Sequence, residues 1–147
     1  MPPRFRLEFN AEACRWCRSC ELICSLIHEG TCSPSLSRIT ITIDQFKAEV
    51  SASFCRHCDT PVCVRSCPVD GAMIIDEATG AVSIVEDLCT GCGSCAEACP
   101  YNREYKVLKL NPVKGVYFKC DLCGGEPACV EVCPTGALKL IELEVPR

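Results

Sequence analysis

The sequence predicts a small α+β protein of short hairpins and short helices that is held together by cross-links at cysteines. Three observations lead to this fold class. Cysteine accounts for 17 of the 147 residues and for a large part of the 48% hydrophobic content, so the ordinary apolar core is modest. Sixteen of these cysteines recur in four groups of four. The segments between the groups alternate apolar and polar residues over short runs that end at turns.

The first half of the chain is predicted to contain one helix and two hairpins. The helix is expected over Glu21–Glu29, because Gly30 follows it as a typical C-cap residue. Arg38–Asp44, RITITID, alternates as a half-buried strand does, and residues 48–54 are expected to pair with it. A second hairpin is predicted where residues 72–75 and 81–85 flank the turn DEATG.

The second half is predicted to continue with short elements. The run VLKLNPVKGVYFK, residues 107–119, reads as strand, turn and strand. GALKLIELEV, residues 136–145, is expected to close the chain as a last strand. Short helical turns are expected to begin near Cys95 and Cys129.

The cysteine groups are variants of one pattern. Groups one and three have the spacing C-x2-C-x2-C-x3-C, whereas groups two and four widen the middle interval with the proline-containing insertions DTPV and GGEPA. Proline follows the last cysteine of groups two, three and four, and Ser25 takes this place in group one. The four groups are Cys14, Cys17, Cys20 and Cys24; Cys55, Cys58, Cys63 and Cys67; Cys89, Cys92, Cys95 and Cys99; and Cys120, Cys123, Cys129 and Cys133.

Three chemistries compete for these thiols. Disulfides need no repeated spacing, and the C-x2-C-x2-C run brings together cysteines that pair poorly with one another. Structural zinc usually takes two C-x2-C pairs separated by a longer loop. The run C-x2-C-x2-C-x3-C-P is that of bacterial ferredoxins, where three thiolates hold one [4Fe–4S] cluster and the fourth reaches a second cluster. Four variants of this run favour iron, and sixteen thiolates suffice for four [4Fe–4S] clusters in which every iron has a protein ligand.

These motifs resemble the four-cluster, polyferredoxin-like electron-transfer subunits of oxidoreductase complexes. The likeness runs from Cys14 to about Leu140 and includes CPVDGA, ACPYN and CPTGAL. That family serves molybdenum and tungsten enzymes, formate dehydrogenases, hydrogenases and carbon monoxide dehydrogenases. The resemblance implies two pseudo-symmetric bacterial-ferredoxin-like modules, one inserted at residues 53–102 and one discontinuous over residues 1–52 and 103–147.

The resemblance also implies which cysteines hold each cluster, and iron would be bound by the same sixteen residues. In every site, three cysteines come from one group and the fourth comes from another. Site one would use Cys14, Cys17, Cys20 and Cys133; site two Cys24, Cys120, Cys123 and Cys129; site three Cys55, Cys58, Cys63 and Cys99; and site four Cys67, Cys89, Cys92 and Cys95.

Charge and the absence of targeting signals narrow the expected partners. The formal net charge is −4, and four oxidised clusters with thiolate ligands would bring it to about −12, which disfavours binding to nucleic acid. With no apolar run long enough to span a bilayer and no signal peptide, a cytoplasmic protein is expected. The resemblance implies a hetero-oligomer with a large catalytic subunit, a tungsten aldehyde oxidoreductase being the first candidate. A flavin-containing subunit or a ferredoxin would be the second redox partner, and a freely diffusing polyferredoxin is the alternative.

Three further residues invite a metal-binding or redox interpretation that we do not adopt. Cys32, the seventeenth cysteine, lies in the turn GTCSPS and is interpreted as a free thiol. His57 lies inside group two, which already has four cysteines, so iron ligation by its imidazole is not expected. His28 is interpreted as a residue of the C-terminal turn of the first helix.

Overall fold

The computed structural model describes residues 3–144, and this part of the chain folds into eight short strands and four helices, with three 3-10 turns between them. The helices are α1 (Ser19–Glu29), α2 (Val62–Ser66), α3 (Ser94–Ala98) and α4 (Ala128–Val132). The strands are β1 (Arg4–Phe9), β2 (Thr40–Asp44), β3 (Glu49–Ser53), β4 (Met73–Ile75), β5 (Val82–Ile84), β6 (Lys109–Leu110), β7 (Tyr117–Phe118) and β8 (Leu138–Leu143).

The strands form four separate two-stranded antiparallel sheets. The three predicted hairpins are confirmed as β2–β3, β4–β5 and β6–β7. The predicted last strand is confirmed as β8, while its final residue, Val145, lies outside the described residues. Strand β1 was not anticipated from the sequence; it pairs with β8 so that Arg4 faces Leu143 and Phe9 faces Leu138. This long-range pairing joins the two ends of the described chain.

Proline sets the length of three of the four helices. The helices α2, α3 and α4 have five residues each and end directly before Cys67, Cys99 and Cys133. Each of these cysteines precedes a proline and has extended backbone angles, as expected because proline disfavours the helical conformation in the residue before it.

Helix α1 lacks such a proline and continues past Cys24 for a total of 11 residues. Ser25 stands where the other groups have proline; its hydroxyl donates to the Leu22 carbonyl and accepts from the Ser33 backbone N–H. The helix then ends at Gly30, as predicted, in the left-handed conformation at φ +73°, and the Gly30 N–H bonds to the Leu26 carbonyl.

The helices pack in pairs that follow the cysteine groups. Helix α2 of group two contacts α3 of group three, and α1 of group one contacts α4 of group four. Buried side chains form two core groups, one around Leu7, Ile41 and Leu138 and a smaller one around Met73 and Leu108. Both core groups contain cysteines, so the thiols line the interior of the protein.

Candidate metal centres

The four cysteine loops share one backbone feature. The residue before the second cysteine of each group has a positive φ, and these residues are Trp16, His57, Gly91 and Leu122. The left-handed conformation costs a non-glycine residue about 1–2 kcal/mol, and three of the four loops accept that cost. Turns of this kind point successive backbone N–H groups into a concavity that binds anions, including iron–sulfur clusters. All four groups therefore share a left-handed residue at the same place in the loop.

Three cavities are each lined by four cysteines, three from one group and one from another. One cavity is lined by Cys67, Cys89, Cys92 and Cys95. A second is lined by Cys14, Cys17, Cys20 and Cys133. A third is lined by Cys55, Cys58, Cys63 and Cys99. These sets have the same members as sites four, one and three.

The cysteines of site two are also brought together, deep in the protein. Cys24, Cys120 and Cys129 are all buried and belong to one core group. Burial raises the pKa of the Cys129 thiol to about 12, and the nearby Cys24 and Cys123 contribute to the shift. Burial likewise raises the pKa of Cys123, again with Cys24 close by. The structure thus groups Cys24 of the first motif with three cysteines of the fourth.

Electrostatic effects between cysteines of different sites indicate which sites are neighbours. Burial raises the pKa of Cys95 in site four, and Cys63 of site three adds to the shift; burial also raises the pKa of Cys120 in site two, and Cys55 of site three adds to that shift. Cys20 of site one similarly adds to the raised pKa of Cys129 in site two. The spatial order is therefore four, three, two, one.

The two ends of this row are its most exposed parts. Of the sixteen cysteines, Cys17 of site one and Cys92 of site four are the exposed ones. Hydrogen bonds from Ser19 lower the pKa of Cys17, and hydrogen bonds from Ser94 do the same for the pKa of Cys92. Sites two and three contain only buried and half-buried cysteines. The row therefore has a shielded middle and two ends that a partner can approach.

The donor set and its surroundings fit iron–sulfur clusters. Apart from the thiols, the walls of the site three cavity are largely apolar, with Val62, Val82 and Leu108 among them. N–H groups point at ligand sulfurs: those of Arg38, His57 and Tyr117 donate to Cys24, Cys55 and Cys89 at 3.2, 3.4 and 3.5 Å. Thiolates are soft ligands that suit iron–sulfur clusters, and such N–H donors stabilise their negative charge.

Without a metal, the buried thiols among these cysteines would hold their protons. Burial raises the pKa of Cys20 to about 12 and that of Cys95 to about 11, and it raises the pKa of Cys120 further still. Because a bound thiol ligand is deprotonated, iron binding must release these protons. The interior thus disfavours bare thiolates and accepts them only with a metal beside them.

The remaining candidates occupy the surroundings of the sites. His57 is not among the residues that line the cavity of site three within the described chain; its Nδ1 accepts the Val82 backbone N–H at 3.0 Å. Burial lowers the pKa of His57 to about 3, with Lys119 and Arg4 adding to the shift, so the imidazole is neutral. His28 lies in the last turn of α1, as expected, and its Nε2 is also 3.5 Å from the Cys123 sulfur. Cys32 is exposed.

A glycine in the site four loop provides the first testable prediction. Gly91 has φ +72°, and a Cβ placed there would collide with the backbone carbonyl of Gly115. Gly91→Ala therefore combines left-handed strain with overpacking, about 2–5 kcal/mol together. We expect a lower free energy of unfolding in chemical denaturation and loss of iron from site four.

Gly30→Ala is the matched control. Gly30 has nearly the same φ, +73°, but a Cβ there would meet no atom within 4 Å. It should cost only the left-handed strain, about 1–2 kcal/mol, and leave the iron content unchanged. Equal iron content in the two variants would contradict the close approach of the Gly91 loop to Gly115.

Comparison with known proteins identifies the family. The family model described as "4Fe-4S dicluster domain" matches residues 46–143, which is well over half of the chain. The chain therefore belongs to the 4Fe-4S dicluster domain family, and the resemblance to iron–sulfur subunits inferred from the motifs is confirmed.

Curated relatives agree with this membership. The chain is 41% identical over 118 residues to the aliphatic sulfonate oxidoreductase polyferredoxin-like subunit of Pyrococcus furiosus, with 80% of this chain and 65% of the relative covered. It is 36% identical over 119 residues to a tetrathionate reductase subunit of Archaeoglobus fulgidus, with 80% and 54% covered. The chain thus spans between half and two-thirds of the length of these two relatives.

Solved structures show the same fold. A chain of the active site complex BamBC of benzoyl coenzyme A reductase, in complex with 1,5-dienoyl-CoA, matches with a TM-score of 0.59 and 26% identity, covering 100% of this chain and 80% of that one. The same complex with zinc gives a TM-score of 0.59 and 28% identity, with 100% and 83% covered. Among the helices described here, none is long and apolar enough to cross a membrane.

Proposed function

We propose that the chain is an electron-transfer subunit that binds four [4Fe–4S] clusters through the sixteen cysteines of sites one to four. The observation that carries the proposal is the crossed composition of the cavities: each of three draws three cysteines from one motif and the fourth from another. A zinc site built from local C-x2-C pairs would have no need of this exchange. When bound, each cluster would supply a site for one electron.

The proposed sites form a path across the protein. The neighbouring pairs Cys95 and Cys63, Cys55 and Cys120, and Cys129 and Cys20 support a row in the order four, three, two, one. The largely apolar walls of site three would limit its contact with water, and Tyr101 lines this cavity with the Arg56 guanidinium 4.1 Å from its ring. We propose that electrons enter and leave at the exposed ends, near Cys92 and Cys17.

The same organisation supports two ferredoxin-like modules. The packing of α2 on α3 agrees with an inserted module at residues 53–102, and that of α1 on α4 with a discontinuous module around it. The modules would share a boundary, because Cys55 and Ala81 of the inserted segment pack in the larger core group with Leu7 and Leu138. Sites two and three would meet at this boundary.

We further propose that the chain does not itself catalyse a substrate reaction. Four thiolates per site would give every iron a protein ligand and leave none open to a substrate. Substrate chemistry would then belong to a large catalytic subunit with a molybdenum, tungsten or similar centre. Names such as sulfonate oxidoreductase and tetrathionate reductase among the relatives support a partner of this class.

Co-purification tests the subunit proposal against a freely diffusing polyferredoxin. Tagged chain, expressed anaerobically in its native host and isolated at moderate salt, should elute with a large metal-containing polypeptide in a fixed ratio through size exclusion. An untagged culture processed in the same way is the control. Elution of the iron-loaded chain alone, at the mass of one copy, would favour the diffusing polyferredoxin.

A further inference from the structure

A lysine is buried where the two proposed modules meet. Lys119 is 1% exposed although it immediately precedes the ligand Cys120, and it is among the largest fully buried side chains. Lysine is rarely buried to this extent unless it is paired with an opposite charge. Within residues 3–144, however, the ion pairs involve other cations, and the Lys119 ammonium meets no carboxylate.

The Nζ atom of Lys119 has three hydrogen-bond acceptors around it. Lys119 Nζ lies 3.2 Å from the sulfur of Cys55 and 3.2 Å from the backbone carbonyl oxygen of Cys120, and it also donates to the carbonyl oxygen of Val82. An ammonium group has three donors and no acceptor, so these three partners match all of its donors and fix its position. The group therefore stands between a ligand of site three and the main chain of a ligand of site two.

Two carbonyl groups do not by themselves compensate a buried positive charge. A charge removed from water without an opposite charge is strongly disfavoured, which means that an anion is missing among these neighbours. The nearby side chains of His57 and Arg4 cannot supply it, because an imidazole is either neutral or cationic and a guanidinium is a cation. The thiolate of Cys55 and the cluster that it would bind carry the required negative charge.

We infer that Lys119 is a positioning residue that fixes a positive charge against site three and raises the reduction potential of the cluster there. Reduction adds one negative charge to the cluster, and a buried ammonium group in contact with a ligand sulfur stabilises that added charge. Site two, on the other side of the same ammonium, feels a weaker effect through the Cys120 main chain. The inference rests on the proposed binding of clusters at sites two and three.

The test compares reduction potentials in loaded protein. Lys119→Met keeps an unbranched side chain but removes the charge and the donors; Lys119→Gln removes the charge and keeps an amide donor. Redox titration followed by EPR should show that one reduction potential is lowered by at least about 59 mV, which corresponds to a tenfold change in the one-electron equilibrium constant. A second potential should fall by less, and the other two should stay unchanged.

Lys47→Met is the matched control, because Lys47 is exposed in the turn between β2 and β3 and its loss changes the net charge equally. Four unchanged potentials in either loaded Lys119 variant, or shifts equal to those of Lys47→Met, would overturn the inference. If neither neutral variant retains iron, Lys119→Arg distinguishes a required positive charge from a packing role. Recovery of iron with arginine would support a required charge, while loss in all three variants would show a packing role and overturn it.

The outcome is separable from that of the proposed function. Wild-type protein with far less than about sixteen irons would refute the four-cluster proposal whatever Lys119 does. Full iron content with four potentials unmoved by the Lys119 variants would refute only the assignment of Lys119.

Discussion

Replacing Cys99 together with Cys55 is expected to remove no more iron than replacing Cys99 alone, whereas replacing Cys99 together with Cys95 should double the loss. The reason is the crossed composition of the sites: Cys55 and Cys99 line one cavity, while Cys95, only four residues from Cys99, lines another. If each disturbed site loses its whole cluster, the iron content falls from about sixteen to about twelve and about eight per chain.

The comparison requires that a disturbed site lose its whole cluster, because each cysteine binds its own iron and single-iron losses would add even within one site; loss of acid-labile sulfide together with iron identifies whole-cluster loss. Alanine variants, loaded under identical anaerobic conditions, would be assayed for iron and acid-labile sulfide. Cys32→Ala is the control, since Cys32 is exposed and outside the four sites, and it should retain full iron. A doubled loss for Cys55 with Cys99, and a single loss for Cys95 with Cys99, would mean that each motif holds its own metal.

Much of the local structure could be predicted from the sequence because cysteine, glycine and proline act over short distances. The proline after Cys67, Cys99 and Cys133 ends three helices, two of them the helical turns predicted near Cys95 and Cys129, and Gly30 ends the fourth as predicted. The three hairpins between groups follow from alternation within a few residues. These features depend on neighbours along the chain.

Two elements, β1 and α2, were not predicted from the sequence. The segment RFRLEF alternates apolar and charged residues, so β1 had a readable signal, but its partner β8 lies at the far end of the chain. Helix α2 had almost no signal, since it has five residues, two of them the β-branched Val62 and Val64, which do not favour helix. Tertiary packing against α3 accounts for it better than propensity does.

The site shows the same division between local and long-range information. The first three cysteines of each motif are close in sequence, whereas the grouping of Cys133 with Cys14, or of Cys24 with Cys129, joins opposite ends of the chain. Burial of Lys119 could not be inferred either. It follows Phe118 at the end of a short strand, and both are 1% exposed, so strand alternation fails at that point.

A reductive titration of the purified chain tests the central proposal most directly. Anaerobically isolated protein would first be assayed for iron, sulfide and zinc, then titrated with a strong one-electron reductant while EPR spectra are recorded, and finally reoxidised. We expect about sixteen irons and about sixteen sulfides per chain, and reversible uptake of about four electrons, one for each cluster. Zinc in place of iron, an iron content near half of that value, or uptake of fewer electrons than there are clusters would contradict an electron-transfer subunit with four [4Fe–4S] sites.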